Sequence, residues 1–571
     1  MHILLSTPII VWYGIIIPYH TMIGRISMTT EVKSLDKRSG ITYIYQSASY
    51  WDKVKKAPRC KRVLIAKLDP VTGERVPTDG RGKRRRQKAQ QPPATVKPGP
   101  VPSVHTERLF YGATYLLDQI GDKLGIVADL KSCFPKDYKK MLSLAYFLIL
   151  EDTSAVSRFG RFAKTHRHPY GRDIPSQRSS ELFQAISKEA KMNFFRLQGR
   201  RQLESEYWAY DSTSISSYSD TLKQVRYGKN KDGEALPQIN LALLFGEKSG
   251  LPFYYRKLDG NIPDVKTITE LVRELDVLGY RKIKLVMDRG YYSADNINGL
   301  YRQHYKFLVG VSTSLSYVQA YIKELGEDMQ TYEHYTDQYK VYCASRTIAW
   351  NYEQECPYKG DTLKGERRMY LHLYYNPEKA VEDEQKRTAY YVKLESELQS
   401  GKHKPEYEKD YAKYFIVHET PVRGRKITPN NEAMKKARRL YGYFALLSNE
   451  VKDPVEALQL YRTRDVVEKA FGNLKERLNC RRTLVSSDFG LEGKLFVTFV
   501  SLIYLSYIKS QMQKHKLFAK YTLQGLLDEL DVIECFCEPG KALMPGEVLK
   551  KQEALYEAME VTPLYAKPSL E

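Results

Sequence analysis

Two periodicities divide the chain. Between residues 105 and 205, ERLFYGATYLLDQIG and YKKMLSLAYFLILED space their apolar residues at three and four, and SQRSSELFQAIS opens on a helix-start signal. This predicts a helical domain over 105–205. From residue 206 the pattern changes: WAYDSTSIS, INLALLF and LPFYYRKL predict three hairpin-linked strands. In the segment from Asp264 to Gly279, the residues Ile268, Leu271, Val272, Leu275 and Leu278 form one helical face, with Asp264 as the starting cap and Gly279 as the stop. A fourth strand (KIKLVMD, 282–288), a helix over Ser293–Arg302 and a fifth strand (KFLVGV, 306–311) follow. The order β-β-β-α-β-α-β predicts a mixed sheet ordered 3-2-1-4-5, with the first and fourth strands adjacent.

Residues 315–435 are irregular, with strand-like runs (KVYCASRTIAWNY, RRMYLHLYY, KYFIVHE) around a charged helix near 377–400, and predict an insertion. A strand-like GYFALLSN (442–449) then leads into one long helix, Pro454 to Asn479, and a helical tail. Within the tail, LFVTFVSLIYLSYI (495–508) is too short to span a bilayer and predicts a buried helix.

Charge adds a further division. Lys and Arg number 90 against 68 Asp and Glu, a net +22, which favours a polyanionic partner. Residues 31–90 alone carry 17 basic against 6 acidic residues, half of that excess. Their β-like runs (ITYIYQS, RVLIAKL) predict a small basic β-rich module over 28–80; the alternative is a solvated basic tail. RGKRRRQK and QQPPATVKPGPVP then form a basic, Pro-rich linker, 81–104. Residues 1–27 are an apolar leader interrupted by Pro8, Gly14 and Pro18, without a basic n-region or an evident cleavage site. Translation starting at Met28 is the reading adopted for it. The seven cysteines are odd in number, widely spaced and without C-x-x-C, which excludes a disulfide framework and a zinc module. The expected setting is cytoplasmic and reducing, with no membrane.

Three carboxylates stand out by position. Asp211 lies in the first strand of the sheet and Asp288 ends the fourth, where open α/β sheets place ligands. Adjacent strands would set the two side by side, close to 5 Å apart, an unfavourable pairing unless a divalent cation lies between them. Hard oxygen donors without a His or Cys cluster suggest Mg²⁺ or Mn²⁺. Glu468 is the third. On a straight helix Tyr461, Arg464, Glu468 and Lys475 fall within a stripe roughly 60° wide, beside an apolar face. A plain amphipathic helix with a solvated charged face gives the same pattern.

Asp211 in Y-D-S-T, Asp288 in D-R-G-Y, and Tyr461, Arg464, Glu468 and Lys475 in Y-x2-R-x3-E-x6-K together resemble the DDE transposases of bacterial insertion sequences. More narrowly, they resemble the cut-and-paste group with a long insertion before the Glu. The resemblance implies a mixed α/β, RNase H-like catalytic core in two parts, 206–314 and 436–485. A long, mostly β insertion (315–435) would separate them, with a C-terminal helical region (486–571) after. The helical domain would bind DNA ends or make dimer contacts. It further implies that Asp211, Asp288 and Glu468 are catalytic and hold two Mg²⁺ ions, with Mn²⁺ as a substitute. Tyr461, Arg464 and Lys475 would contact DNA near the element's end, with Arg289 a further DNA contact. Trp350 is a candidate for stacking on a flipped base, or a core residue.

The expected function is a transposase that binds the ends of an insertion sequence, cleaves DNA strands and joins them to target DNA as a homodimer on duplex DNA. The alternatives are a catalytically inactive DNA-binding protein of a decayed element, or an RNase H-like nuclease or resolvase.

Overall fold

The computed structural model describes residues 29–52, 57–78, 106–152, 155–201, 206–280, 283–355, 361–420, 424–483, 485, 487–538 and 541–564. The expected leader (1–27) and the expected linker (81–104) lie outside the described residues. The chain divides into two units, Met1–Val101 and Pro102–Glu571.

The first unit is an antiparallel meander of β1 (Thr29–Leu35), β2 (Thr42–Asp52), β3 (Ala57–Leu68) and β4 (Arg75–Pro77). Of its described residues, Ile44, Ser47 and Ala66 are buried. With so thin a core, Lys33, Lys37, Arg38, Arg59, Lys61 and Arg62 all stand exposed.

The second unit opens with β5 (Glu107–Phe110) and the helices α1 (Gly112–Lys123), α2 (Ile126–Cys133), α3 (Tyr138–Leu150), α4 (Phe159–Thr165), α5 (Ser176–Ala185) and α6 (Lys188–Arg200). A meander follows: β6 (Trp208–Ser217), β7 (Gln238–Gly246) and β8 (Pro252–Asp259). Next come α7 (Thr267–Val277), β9 (Lys284–Met287), α8 (Ala294–Arg302) and β10 (Lys306–Val311). β9 lies parallel to both β6 and β10, so these five strands run β8-β7-β6-β9-β10, the 3-2-1-4-5 order of the sequence pattern. β6 and β7 are buried on both faces, as the inner strands of a covered sheet must be.

The segment after β10 extends the same sheet. It contains α9 (Ser316–Leu325), β11 (Tyr335–Thr336), β12 (Val341–Glu355), β13 (Thr362–Tyr375), α10 (Pro377–Gln399), α11 (Glu408–Tyr414), β14 (Phe415–Thr420), β15 (Gly424–Pro429) and α12 (Asn431–Arg438). β16 (Tyr443–Ser448) then pairs antiparallel with β10 on one side and β13 on the other. The long β12–β13 hairpin therefore continues the sheet outward, whereas α10, α11 and β14 enclose a small core of their own around Leu394, Leu398, Tyr411, Tyr414 and Phe415.

The helix expected over 454–479 is broken. α13 (Pro454–Arg462) and α14 (Asp465–Gly472) are separate, and a π turn occupies Asn473–Arg477. Thr463 Oγ1 donates back to the Leu460 carbonyl, and the N–H groups of Arg464, Val466 and Val467 each bond three residues back, a local 3₁₀ tightening.

The chain ends with β17 (Arg482–Thr483), α15 (Asp488–Lys514), α16 (Leu523–Asp531), β18 (Glu534–Cys537), β19 (Met544–Pro545) and α17 (Lys550–Ala558). α15 is 27 residues, longer than its apolar run, and long and apolar enough to cross a bilayer; 89% of that apolar window is buried inside the protein. It packs on α3, α5 and β8. β18 pairs with β5, and Tyr556 Oη donates to the Gly112 carbonyl. The helices of 105–205 and those after 486 thus form one body with a shared core, not two regions.

Candidate active site

Tyr210 on β6 is level with Met287 on β9, so Asp211 and Asp288 are the next residues of two neighbouring parallel strands. The Asp211 side chain is 15% exposed and that of Asp288 44%. Asp211 Oδ1 accepts the Ser212 N–H at 2.8 Å and the Tyr291 hydroxyl at 3.4 Å. Burial lifts the Asp211 carboxyl above its usual range despite the nearby Lys231 ammonium. Asp288 goes the other way: burial is outweighed by Arg464, the Arg289 N–H and the Tyr461 hydroxyl, which hold it below the usual carboxylate range.

Both of those side chains reach Asp288 Oδ1 from the α13–α14 junction. Tyr461 Oη donates at 2.8 Å and Arg464 Nη1 lies at 2.7 Å. Arg464 Nη2 meets Glu468 Oε1 at 2.9 Å, so one planar guanidinium bridges Asp288 and Glu468, and the two oxygens are no more than about 8 Å apart. Tyr461 comes this close because β10 carries a glycine beneath it. A Cβ on Gly310 would meet Tyr461 Oη at 2.8 Å and the Arg289 nitrogen at 3.0 Å.

Lys475 faces elsewhere. Its ammonium is 2.6 and 2.7 Å from the two Asp232 oxygens, with the side chain 11% exposed. Arg289 is exposed at the mouth of the site. Trp350, on β12, donates its indole N–H to Asn298 on α8 at 2.9 Å and packs against the main core.

Two residues that sequence reasoning missed complete the cluster. Lys231 Nζ donates to the Ser212 carbonyl (2.9 Å) and hydroxyl (2.7 Å), pairs with Asp264 Oδ2 at 2.9 Å and lies 3.8 Å from Asp211. Asp264 Oδ1 accepts from Ser212 Oγ at 2.6 Å. Asp264 therefore serves the site and does not cap α7, whose N-terminus has no side-chain cap. Lys231 sits in a polar turn and Asp264 follows Pro263, positions at which a turn or a cap is the local signal; neither carries periodic information. Gly279 does end α7, at φ +82°.

A cleft of about 890 Å³ lined by Asp211, Lys231, Asp264, Asp288 and Arg289 opens on one side of the cluster. A smaller one of about 380 Å³ borders Asp288, Arg289 and Tyr461 on the other.

The family described as the transposase DDE domain matches residues 206–504, more than half of the chain. The chain belongs to this family. The match begins just before β6 and runs into α15, so the transposase domain includes every residue of the cluster. A comparison with curated proteins yields no match. Among solved structures, a similar chain is that of the piggyBac transposase synaptic complex with hairpin DNA, at 12% identity, covering 72% of this chain and 70% of that one with a TM-score of 0.32.

DDE transposases use divalent metal ions. The donor set here is compatible: Asp211, Asp264, Asp288 and Glu468 offer only hard oxygens. Two of the protein's own cations are lodged on them, Lys231 on Asp211 and Asp264, and Arg464 on Asp288 and Glu468. Among the described residues, no three Asp, Glu, His or Cys side chains are grouped closely enough to form a metal cluster as they stand. Glu468 is joined to Asp288 through Arg464.

Proposed function

We propose that this protein is an insertion-sequence transposase that binds the element's ends, cleaves DNA strands there and joins them to target DNA by phosphoryl transfer. The observation that carries the reading is the adjacency of Asp211 and Asp288 on parallel strands, with Glu468 tied to Asp288 by Arg464, inside a transposase DDE domain.

Asp211, Asp288 and Glu468 would hold Mg²⁺ or Mn²⁺, two ions in this reading. Bound there, the metal supplies Lewis-acid polarisation of a phosphoryl oxygen and makes water or a 3′-hydroxyl a competent nucleophile at neutral pH. The chain's own residues supply position and charge. Asp288 is kept ionised, Tyr461 and Arg464 fix its orientation, and Arg289 meets phosphate at the cleft mouth. Positioning and charge neutralisation are most of what phosphoryl transfer asks of a protein. Arg464, while still holding Asp288, and Lys475, released from Asp232, would contact DNA phosphates beside the reacting bond. The exposed basic sheet β1–β4 would add sequence-independent phosphate contacts, and a homodimer would form on duplex DNA.

The test is Asp288→Asn in the full-length chain, with strand cleavage and binding of a duplex carrying the element's ends measured separately. Cleavage is expected to vanish with affinity nearly unchanged. Normal cleavage by this variant would remove Asp288 from the chemistry.

A further inference from the structure

α14 has a second side. At 100° per residue, Val466 and Ala470 of α14 and Asn473 just beyond it lie roughly 140–200° from Glu468, with Lys469 about 100° from it, between the two sides. That second side, with the turn after β7 and the later part of α15, bounds a cavity of about 180 Å³. Lys469, Lys509 and Lys248 line it, with Asn473, Ser506 and Ser510 as neutral donors.

The charges here are not balanced. Among the described residues, neither Lys469 nor Lys509 has an ion-pair partner. Lys509 is half-buried, and the charges acting on it, Lys469 and Arg477, are both positive; burial first, then these two, hold its ammonium below the usual lysine range. Among the described residues, Glu247 is the one carboxylate lining the cavity, and it stands beside Lys248, with no hydrogen-bond partner for its buried Oε2. Like charges gathered on a partly dehydrated cavity are costly unless an anion joins them. The volume admits a phosphate-sized group and lies below the ~300 Å³ from which small-molecule pockets begin.

We infer that this cavity is a phosphate-binding site, occupied by a phosphodiester of the DNA backbone. The inference rests on the reading of the protein as a DNA transposase. It selects DNA over a free anion because of where the cavity lies. Lys469 is exposed and only about 100° round the helix from Glu468, so a strand held at Glu468 can set a neighbouring phosphodiester on Lys469 and Lys509.

The experiment uses the full-length protein, with Lys509→Met, Lys469→Met/Lys509→Met and Lys509→Arg variants, a short random-sequence duplex and inorganic phosphate. Methionine keeps the apolar stem of Lys509 and removes a repelled charge, so melting without phosphate should not fall below the wild type. The double variant is expected to bind the duplex several-fold more weakly at low salt. Its log–log salt slope should be shallower by about 0.9, the share of one phosphate contact. Phosphate should raise the melting temperature of the wild type and of Lys509→Arg, but not that of the double variant. An unchanged salt slope together with an unchanged phosphate effect overturns the site. A lost phosphate effect with an unchanged salt slope overturns DNA as the ligand and leaves a free-anion site. A wild type that binds no duplex at all overturns the transposase reading itself, and the phosphate melts then report on the cavity independently.

Discussion

Arg464 Nη1 lies 2.7 Å from Asp288 Oδ1, on a side chain only 14% exposed, while the other terminal nitrogen of the same guanidinium meets Glu468. An intrahelical Arg–Glu pair four residues apart contributes only a few tenths of a kcal/mol. The contact across elements to Asp288 is what gives this arginine its consequence.

Arg464→Ala should therefore impair strand cleavage at least 100-fold, the scale of a misplaced reacting group, and change DNA affinity only a few-fold. Arg464→Lys should be intermediate, because a point charge cannot span both carboxylates. Parallel cleavage and gel-shift assays decide it. Near-normal cleavage by the alanine variant would reduce Arg464 to a structural ion pair.

Gly310→Ala tests the close approach beneath Tyr461. The added methyl would meet Tyr461 Oη at 2.8 Å, so Tyr461 must leave Asp288 or the strand must shift. Overpacking of this kind costs about 1–3 kcal/mol, and cleavage should fall with it. Tyr461→Phe removes the clashing oxygen, so the double variant should melt higher than Gly310→Ala alone. If both melt alike, the strain lies at the Arg289 backbone.

Lys231 and Asp264 should behave as a coupled pair. Lys231→Met leaves the Asp264 and Asp211 carboxylates without their shared ammonium, and Asp264→Asn leaves Lys231 with the neutral Ser212 oxygens and the more distant Asp211 carboxylate. Each variant should lose activity. Thermal unfolding of the double-mutant cycle should give a coupling energy of about 0.5–3 kcal/mol. Additive effects would show that the two groups act independently.

The pH dependence of folding should carry the mark of Glu492, which anchors α15. Its carboxylate takes Lys191 of α6 and, at 2.8 Å, Lys257 of β8; the lysine side chains are 13% and 6% exposed. Burial raises its pKa, but the two lysines outweigh burial and leave it below the usual glutamate value. A carboxyl depressed in the folded state contributes stability above its unfolded pKa of about 4.3, and that stability is lost as pH falls through the folded value. Glu492→Gln should cost about 3–5 kcal/mol at neutral pH, because two buried ammonium groups lose their partner. The gap to the wild type should narrow as the pH falls below about 4 and Glu492 takes up a proton. Denaturant unfolding across pH checks this, and a gap independent of pH would refute it.

The sequence by itself determined the strand order β8-β7-β6-β9-β10, the α7 helix with its glycine stop, and the placing of Asp211 and Asp288 on neighbouring strands. These follow from periodicity and from connections between segments close in the chain, which short-range sterics and apolar burial decide. Tertiary structure decided the rest. Lys475 and Asp232 are 243 residues apart, and no local pattern in either segment announces their pairing. The straight-helix stripe failed at Thr463, where a hydroxyl bonded to the backbone and the chain tightened, so Tyr461 and Arg464 converge on Asp288 while Lys475 turns away. The β12–β13 hairpin joined the main sheet because β16 offered it an open edge, and an unpaired edge takes a partner wherever the chain can supply one. Periodicity reports which face of an element is apolar; which distant group meets its polar side depends on the whole folded chain.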